Sequence, residues 1–193
     1  MDSAIHHRRS IRLKGYDYSQ SGLYFVTICC QDRICRFGKI ENGEMVLNDF
    51  GKIAYSEWGK LPERYPNMFL DVFQIMPNHI RGIIALGKIC AVGATLAVAS
   101  NNDAVALNND AMTADRATAR VAPTTVGNIV GAYKSLVTNK CLEIYKLRGE
   151  YMGKLLQRDY WEHIIRNEQS YQRITNYIVN NPENWGNDKF YTE

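Results

Sequence analysis

The chain has 193 residues, of which 46% are hydrophobic and 22% charged, so it can bury a sizeable core, and its length favours a single domain over 1–193. The formal net charge of +3 permits a nucleic-acid partner but does not require one. No apolar run reaches the ~18 residues of a membrane span, and no apolar segment follows the polar N-terminus, which argues against membrane insertion and secretion.

The five cysteines form no C-x-x-C pair and are odd in number. This argues against a zinc ribbon and against a closed disulfide framework. We therefore expect a protein of the reducing cytoplasm.

The first half of the chain is predicted to be rich in strands. A basic leader covers residues 1–15, and the β-branched and aromatic run at 23–30 predicts a buried strand. An Asn-Gly pair at 42–43 predicts a hairpin, and residues 68–76 and 79–86 predict two further strands separated by a Pro-Asn turn.

Helical spacing of apolar residues predicts three amphipathic helices. The first runs from an Asn-Asp cap to Leu61, the second begins at the threonines of 124–125, and the third covers 167–179 before Pro182. The Ala-, Asn- and Asp-rich stretch at 88–123 predicts a mobile, low-complexity insertion before the C-terminal helices. The order of elements predicts an α+β fold, with an antiparallel sheet and helices packed on it.

The segment 76–81 (MPNHIR) contains the first candidate for chemistry. Residues two apart on a strand point to the same face, so His79 and Arg81 should lie side by side. Two histidines so placed could bind a metal, whereas one histidine in a strand is more often a packed residue.

Tyr177 and Asn181 are four residues apart and would share a helix face if the helix extends that far. Tyr177 could be a nucleophile or only part of the apolar stripe of the helix, with Asn181 as a cap before proline. A tyrosine nucleophile needs a nearby cation, because the phenol pKa is ordinarily near ~10.

The segment 157–167 (QRDYWEHIIRN) has basic residues on either side of two aromatic ones. Arg158 and Arg166 could bind phosphates while Tyr160 and Trp161 stack on unpaired bases. The two rings could equally anchor the core beside solvated charges.

Together these segments resemble the single-tyrosine HUH transposases of insertion sequences, in particular the REP-associated tyrosine transposases. Residues 24–28 (YFVTI) are similar to the first strand of that family, and 76–81 to its M-P-N-H-h-H motif. Residues 157–167 resemble its Q-R-x-Y-W-E-H-x-I-R-N block, and 177–182 (YIVNNP) its catalytic Y-I-x-x-N-P motif. The four motifs occur in the family's order and span nearly the whole chain.

The resemblance implies a ferredoxin-like α+β domain that binds imperfect DNA hairpins. It also implies that Tyr177 cleaves one strand, leaving a 5′-phosphotyrosine link and a free 3′-hydroxyl, and that rejoining reverses this attack. A divalent ion, Mg²⁺ or Mn²⁺, would be held by His79, by the residue at position 81 and by Asn181.

Arg81 departs from the family motif, which has a second histidine there. A guanidinium has no lone pair to give a metal, and its charge repels a cation. Loss of a ligand together with this repulsion should weaken the metal site by several kcal/mol, so we predict impaired cleavage. Arg81 could instead hold the scissile phosphate.

Two classes of function therefore remain at this stage: a transposase with residual activity, and a catalytically inactive DNA-binding protein. An RNA-binding protein is a third interpretation, which the absence of an RNP-type strand disfavours. The sequence leaves open the role of His163 and whether Tyr177 acts within its own subunit or across a homodimer. The predicted DNA-binding residues are Arg8, Arg9, Arg12, Lys134, Arg158 and Arg166.

Overall fold

The computed structural model describes residues 15–87 and 124–192. The predicted insertion at 88–123 and the predicted leader, apart from Gly15, lie outside the described residues. Three of the predicted DNA-binding residues also lie there: Arg8, Arg9 and Arg12.

The main sheet is antiparallel and has four strands, in the order β4-β5-β1-β6. In chain order the elements are β1 (Gly22–Cys29), β2 (Gly38–Glu41), β3 (Glu44–Leu47), α1 (Asp49–Gly59), α2 (Leu61–Arg64), β4 (Met68–Ile75), β5 (His79–Leu86), α3 (Val126–Leu147), β6 (Trp161–Ile165) and α4 (Glu168–Val179). Without the separate β2-β3 hairpin and the short α2, this is the strand-helix-strand-strand-helix-strand order of a ferredoxin-like domain followed by α4. The predicted fold class is confirmed.

Helices cover both faces of the sheet. On one face α1 and α3 pack against it, with the Trp58 ring in edge-to-face contact with Tyr133 at 5.0 Å between centroids. On the other face Ile174 and Ile178 of α4 pack on Ile83 of β5. Because β5 is central and covered on both sides, all of its residues are buried, polar ones included.

The predicted helix starts are confirmed by their caps. The side chain of Asn48 accepts the Gly51 N–H at 3.0 Å, and that of Thr125 accepts the Asn128 N–H at 3.1 Å. The predicted first helix, however, does not run unbroken to Leu61. It ends at Gly59, and Pro62 lies in the first turn of α2, where its missing N–H costs no hydrogen bond.

No strand was predicted at 157–167, yet β6 forms there and pairs with β1. Its burial alternates, because one face of this edge strand packs inward and the other stays exposed. None of the helices in the described residues is long and apolar enough to cross a bilayer.

Candidate functional site

Alternate residues of β5 place His79 and Arg81 on the sheet face that α4 covers. Ile83, two residues further along that face, packs against Ile174 and Ile178 and so fixes the helix above the strand. His79 is 0% exposed and Arg81 1%, so both side chains of the motif lie in the interior beneath α4.

The guanidinium of Arg81 joins β5 to the segment after α4. Its Nη1 donates to Oδ1 of Asn181 at 2.6 Å and to Oδ2 of Asp188 at 2.5 Å, and its Nη2 donates to Oδ1 of Asp188 at 3.2 Å. The Asn181 amide also donates to Oδ2 of Asp188, at 2.8 Å. Since α4 ends at Val179, Asn181 enters this network from the turn beyond the helix.

Asp188 also belongs to this site, although no sequence motif predicted it. Its side chain is 1% exposed and pairs with Arg81 through both carboxylate oxygens. Burial alone would raise the pKa of Asp188, but hydrogen bonds from Arg81, the Phe190 N–H and Asn181 lower it to about 2. A buried arginine needs a counter-ion, yet that rule does not say where in the chain the acid lies.

Tyr177 lies at the rim of this network and is 43% exposed. Cζ of Arg81 is 4.5 Å from its ring centroid, and its hydroxyl is 3.5 Å from Oδ2 of Asp188. Burial raises the pKa of Tyr177 and the Asp188 charge adds to the rise, although the Arg81 charge opposes it. The phenol is therefore protonated at neutral pH, and its oxygen is a weak nucleophile without a base or a stronger cation.

His79 is a neutral imidazole in this environment. Burial, followed by the charge of Arg81, lowers the pKa of His79 to about 3. Its Nδ1 lies 2.9 Å from Oδ1 of Asn78, whose amide nitrogen donates to the carbonyls of Arg33 and Phe190. Because Oδ1 of Asn78 can only accept, the proton lies on Nδ1 and the lone pair on Nε2. That Nε2 has no hydrogen-bond partner among the described residues.

The residues present do not fit the divalent cation that the resemblance implies. Of the three implied ligand positions, Arg81 has no lone pair, and its Nη1 already occupies Oδ1 of Asn181. Of the implied ligand atoms, only Nε2 of His79 accepts no hydrogen bond from the described residues. Within 15–87 and 124–192, no three His, Cys, Asp or Glu side chains cluster closely enough to hold a metal ion.

The predicted DNA-binding residues of the described chain differ in their surroundings. Arg158 and Arg166 are exposed. Lys134 is half-buried, and its ammonium donates to the carbonyls of Gln157 and Arg158, so it ties α3 to the segment before β6. Exposed His163 lines a cavity of about 390 Å³ with Arg166 at the start of α4.

A second cavity, of about 490 Å³, opens beside Tyr177. We call it the Tyr177 groove. Its lining residues include two cations, Arg173 and Lys189, the acid Asp188, and five amide side chains: Asn176, Asn180, Asn181, Asn184 and Asn187. Amides and cations offer hydrogen bonds to base edges and charge to phosphates.

No protein-family model matches the chain. A Haemophilus influenzae protein described only as "Uncharacterized protein" is 37% identical over 192 residues, which cover 100% of this chain and 97% of the relative. A "Putative REP-associated tyrosine transposase" of the same organism is 23% identical over 171 residues, covering 88% of this chain and 75% of the relative. A solved REP-associated tyrosine transposase bound to a REP hairpin superposes with a TM-score of 0.55 and 17% identity, covering 92% of this chain and 76% of that one. This last likeness shows the fold.

Proposed function

Because this chain belongs to one family with the 37% identical Haemophilus influenzae protein and is related to the REP-associated tyrosine transposases, we propose that it is a transposase-like protein that binds hairpin-forming single-stranded DNA. We further propose that Arg81 strongly impairs the metal-dependent cleavage by Tyr177 that the resemblance implies. The observation that supports this impairment is the buried network of Arg81, Asn181 and Asp188.

The network disfavours Mg²⁺ or Mn²⁺ in two ways. A metal at the Asn181 oxygen would compete with the guanidinium that already donates to it, and loss of that hydrogen bond would leave Arg81 buried with fewer partners. It would also have to enter beside a fixed positive charge in a region of low dielectric, where repulsion is poorly screened. Each effect makes the free energy of metal binding less favourable, and Arg81 supplies no ligand that would offset it.

Without the ion, Tyr177 lacks what its chemistry needs. Attack on phosphorus forms an O–P bond to the tyrosine oxygen, releases the 3′-oxygen of the neighbouring nucleotide, and requires the phenol proton to leave. The raised pKa of Tyr177 opposes that loss. Arg81 is 1% exposed and two of its nitrogens donate to protein oxygens, so it is poorly placed to bind a scissile phosphate in place of the ion.

DNA binding does not depend on that ion. Arg158 and Arg166 remain exposed, and the Tyr177 groove adds Arg173 and Lys189. Phosphate contacts of this kind supply most of the affinity for a nucleic acid. The proposed function is therefore hairpin recognition that has outlasted strand cleavage.

The test has a binding arm and a cleavage arm. Imperfect hairpins with random loops and flanks are enriched on the full-length protein, and the enriched hairpin is compared with a strand of equal composition that cannot fold. We expect the hairpin to bind more tightly. Equal affinity would overturn hairpin recognition.

For cleavage, the enriched hairpin is incubated with Mn²⁺, and covalent adducts are resolved by denaturing electrophoresis. We expect no adduct from the wild-type protein, and an adduct from Arg81→His that is lost in Arg81→His/Tyr177→Phe. A wild-type adduct that Tyr177→Phe abolishes would overturn the proposed impairment and establish an active enzyme.

A further inference from the structure

The two neighbouring aromatic residues at the start of β6 have different environments. Tyr160 is half-buried against the core, and its hydroxyl donates to Glu162 at 2.7 Å. Trp161 is 48% exposed. We propose that Trp161 is a stacking platform for an unpaired nucleotide of single-stranded DNA next to the hairpin, which rests on the proposed function.

The register of the sheet puts Trp161 in line with the candidate site. Trp161 lies opposite Thr27 of β1, and Thr27 lies opposite Arg81 of β5. Residues directly opposite each other on antiparallel strands project to the same face. Trp161 is thus on the face that carries Arg81 and Tyr177. Two strand spacings of ~4.8 Å put its Cα about 10 Å from that of Arg81.

A cation connects Trp161 to the Tyr177 groove. Nζ of Lys189 is 5.8 Å from the Trp161 ring centroid and 4.8 Å from that of Phe190, and Lys189 also lines the groove. Proteins that bind single strands without fixed sequence combine a basic track for the backbone with aromatic rings for the bases. Lys189 and Arg173 of the Tyr177 groove supply the basic part, and the Trp161 ring beside Lys189 supplies the aromatic part.

A single exposed aromatic residue would need no explanation by itself. Tyr151, 95% exposed in the segment after α3, is such a residue. Trp161 differs because its ring lies beside Lys189, which lines the Tyr177 groove, so a base stacked on it would have a cation within reach of its phosphate. The two residues therefore form a matched pair for testing.

The experiment compares the blunt enriched hairpin with the same hairpin carrying a dT tail at either end. We expect Trp161→Leu to weaken binding of a tailed hairpin roughly 5- to 150-fold and to leave the blunt hairpin unchanged, since only the tail supplies an unpaired base outside the hairpin. Trp161→Phe should retain most of the tail's contribution, and Tyr151→Leu should have no effect. Equal loss for blunt and tailed hairpins, or no loss for either, would overturn the inference.

Tryptophan fluorescence gives the inference a readout that does not need a hairpin. The chain has three tryptophans, of which Trp58 and Trp185 are buried, so a stacked base should quench the emission of Trp161. Titration with an unstructured dT oligonucleotide should quench wild-type emission and leave that of Trp161→Phe unchanged. Quenching without any preference for hairpins would contradict the proposed function and support Trp161. Hairpin binding without quenching by a tail would support the proposed function and contradict the role of Trp161.

Discussion

The guanidinium of Arg81 contacts both carboxylate oxygens of Asp188, which lies 107 residues further along the chain. Both side chains are 1% exposed, so each provides the only nearby full charge that can neutralise the other within this network. The pair attaches the segment after α4 to the centre of the sheet. Removal of one partner should therefore cost more than the loss of an ordinary ion pair.

We predict that Asp188→Asn lowers the free energy of unfolding by about 3 kcal/mol or more, because the Arg81 charge would stay buried without its counter-ion. Urea unfolding at pH 7 measures the change. The matched control is Glu41→Gln, which breaks the exposed pair of Lys39 and Glu41 (2.6 Å) and should cost less than about 1 kcal/mol. Similar losses in both variants would contradict the argument from burial.

A second prediction concerns metal binding. We expect Mn²⁺ to leave the melting temperature of the wild-type protein unchanged and to raise that of Arg81→His, because an imidazole at position 81 would join His79, Asn181 and Asp188 as a lone-pair donor. At a metal concentration 100 times Kd, linkage gives about 2.7 kcal/mol of added stability.

The control for the metal experiment is Arg81→Met, which removes the positive charge without adding a ligand. Its melting temperature should not respond to Mn²⁺. If Arg81→Met gained as much stability from Mn²⁺ as Arg81→His, the charge of Arg81 alone would explain the exclusion of metal, and the ligand argument would be wrong.

Much of the fold follows from local patterns. The buried run that forms β1, the Asn-Gly hairpin, and the apolar spacing of α3 and α4 are each encoded within a short segment, so the sequence predicts them. β6 was not predicted, since its five residues, WEHII, contain two charged or polar positions that are compatible with a loop. Only its pairing with β1 makes it a strand.

The candidate site, like the fold, was predictable only where a short segment determines it. Strand periodicity puts His79 and Arg81 side by side, and the structure has them on one buried face. The partner of Arg81 could not be predicted, because an ion pair between residues 107 apart depends on how the chain folds back. The division of Tyr160 and Trp161 into a core residue and an exposed one likewise depends on the register of β6.

Gly82 allows α1 to approach the sheet next to Arg81, and we predict that Gly82→Ala destabilises the fold. A Cβ at this position would lie 2.6 Å from Cζ2 of Trp58 and 2.9 Å from Cβ of Phe73. Overpacking of this kind typically costs 1–3 kcal/mol, so we expect a loss of about 2 kcal/mol in urea unfolding. In Gly131→Ala of α3, the new Cβ meets nothing within 4 Å, and helix propensity should raise stability by about 1 kcal/mol. If both variants lost stability, the contact with Trp58 would not explain the effect of Gly82→Ala.

Exposed Arg166 gives a prediction for DNA binding. If it contacts a phosphate, Arg166→Gln should weaken binding of the enriched hairpin and reduce the slope of log K against log salt by about 0.7 to 0.9. Fluorescence anisotropy over a range of NaCl concentrations measures this slope. Arg64→Gln, in α2, is the control and should leave the slope unchanged, because α2 contacts α1 and β4 and its residues line neither the cavity at His163 and Arg166 nor the Tyr177 groove. An unchanged slope in Arg166→Gln would remove Arg166 from the DNA-binding surface.

Glu57 of α1 provides a pH-dependent contribution to stability. The residue is 3% exposed, and its carboxylate lies 2.7 Å from Nζ of Lys140 in α3. The hydrogen bond from Lys140 lowers the pKa of Glu57 despite the opposing effect of burial. The Glu57 carboxylate therefore takes up a proton more readily in the unfolded chain than in the folded one. Its contribution to the free energy of unfolding is complete at neutral pH. It is lost as the pH falls below the ordinary glutamate pKa of about 4.3.

The stability difference between the wild-type protein and Glu57→Gln should therefore shrink as the pH falls from about 5 to about 3 in urea unfolding. Asp49→Asn is the control. Asp49 is 63% exposed and 3.4 Å from Arg148, so its substitution should change stability by less than about 1 kcal/mol throughout. A difference between wild type and Glu57→Gln that stays constant with pH would mean that packing of the side chain, and not the charge paired with Lys140, holds α1 against α3.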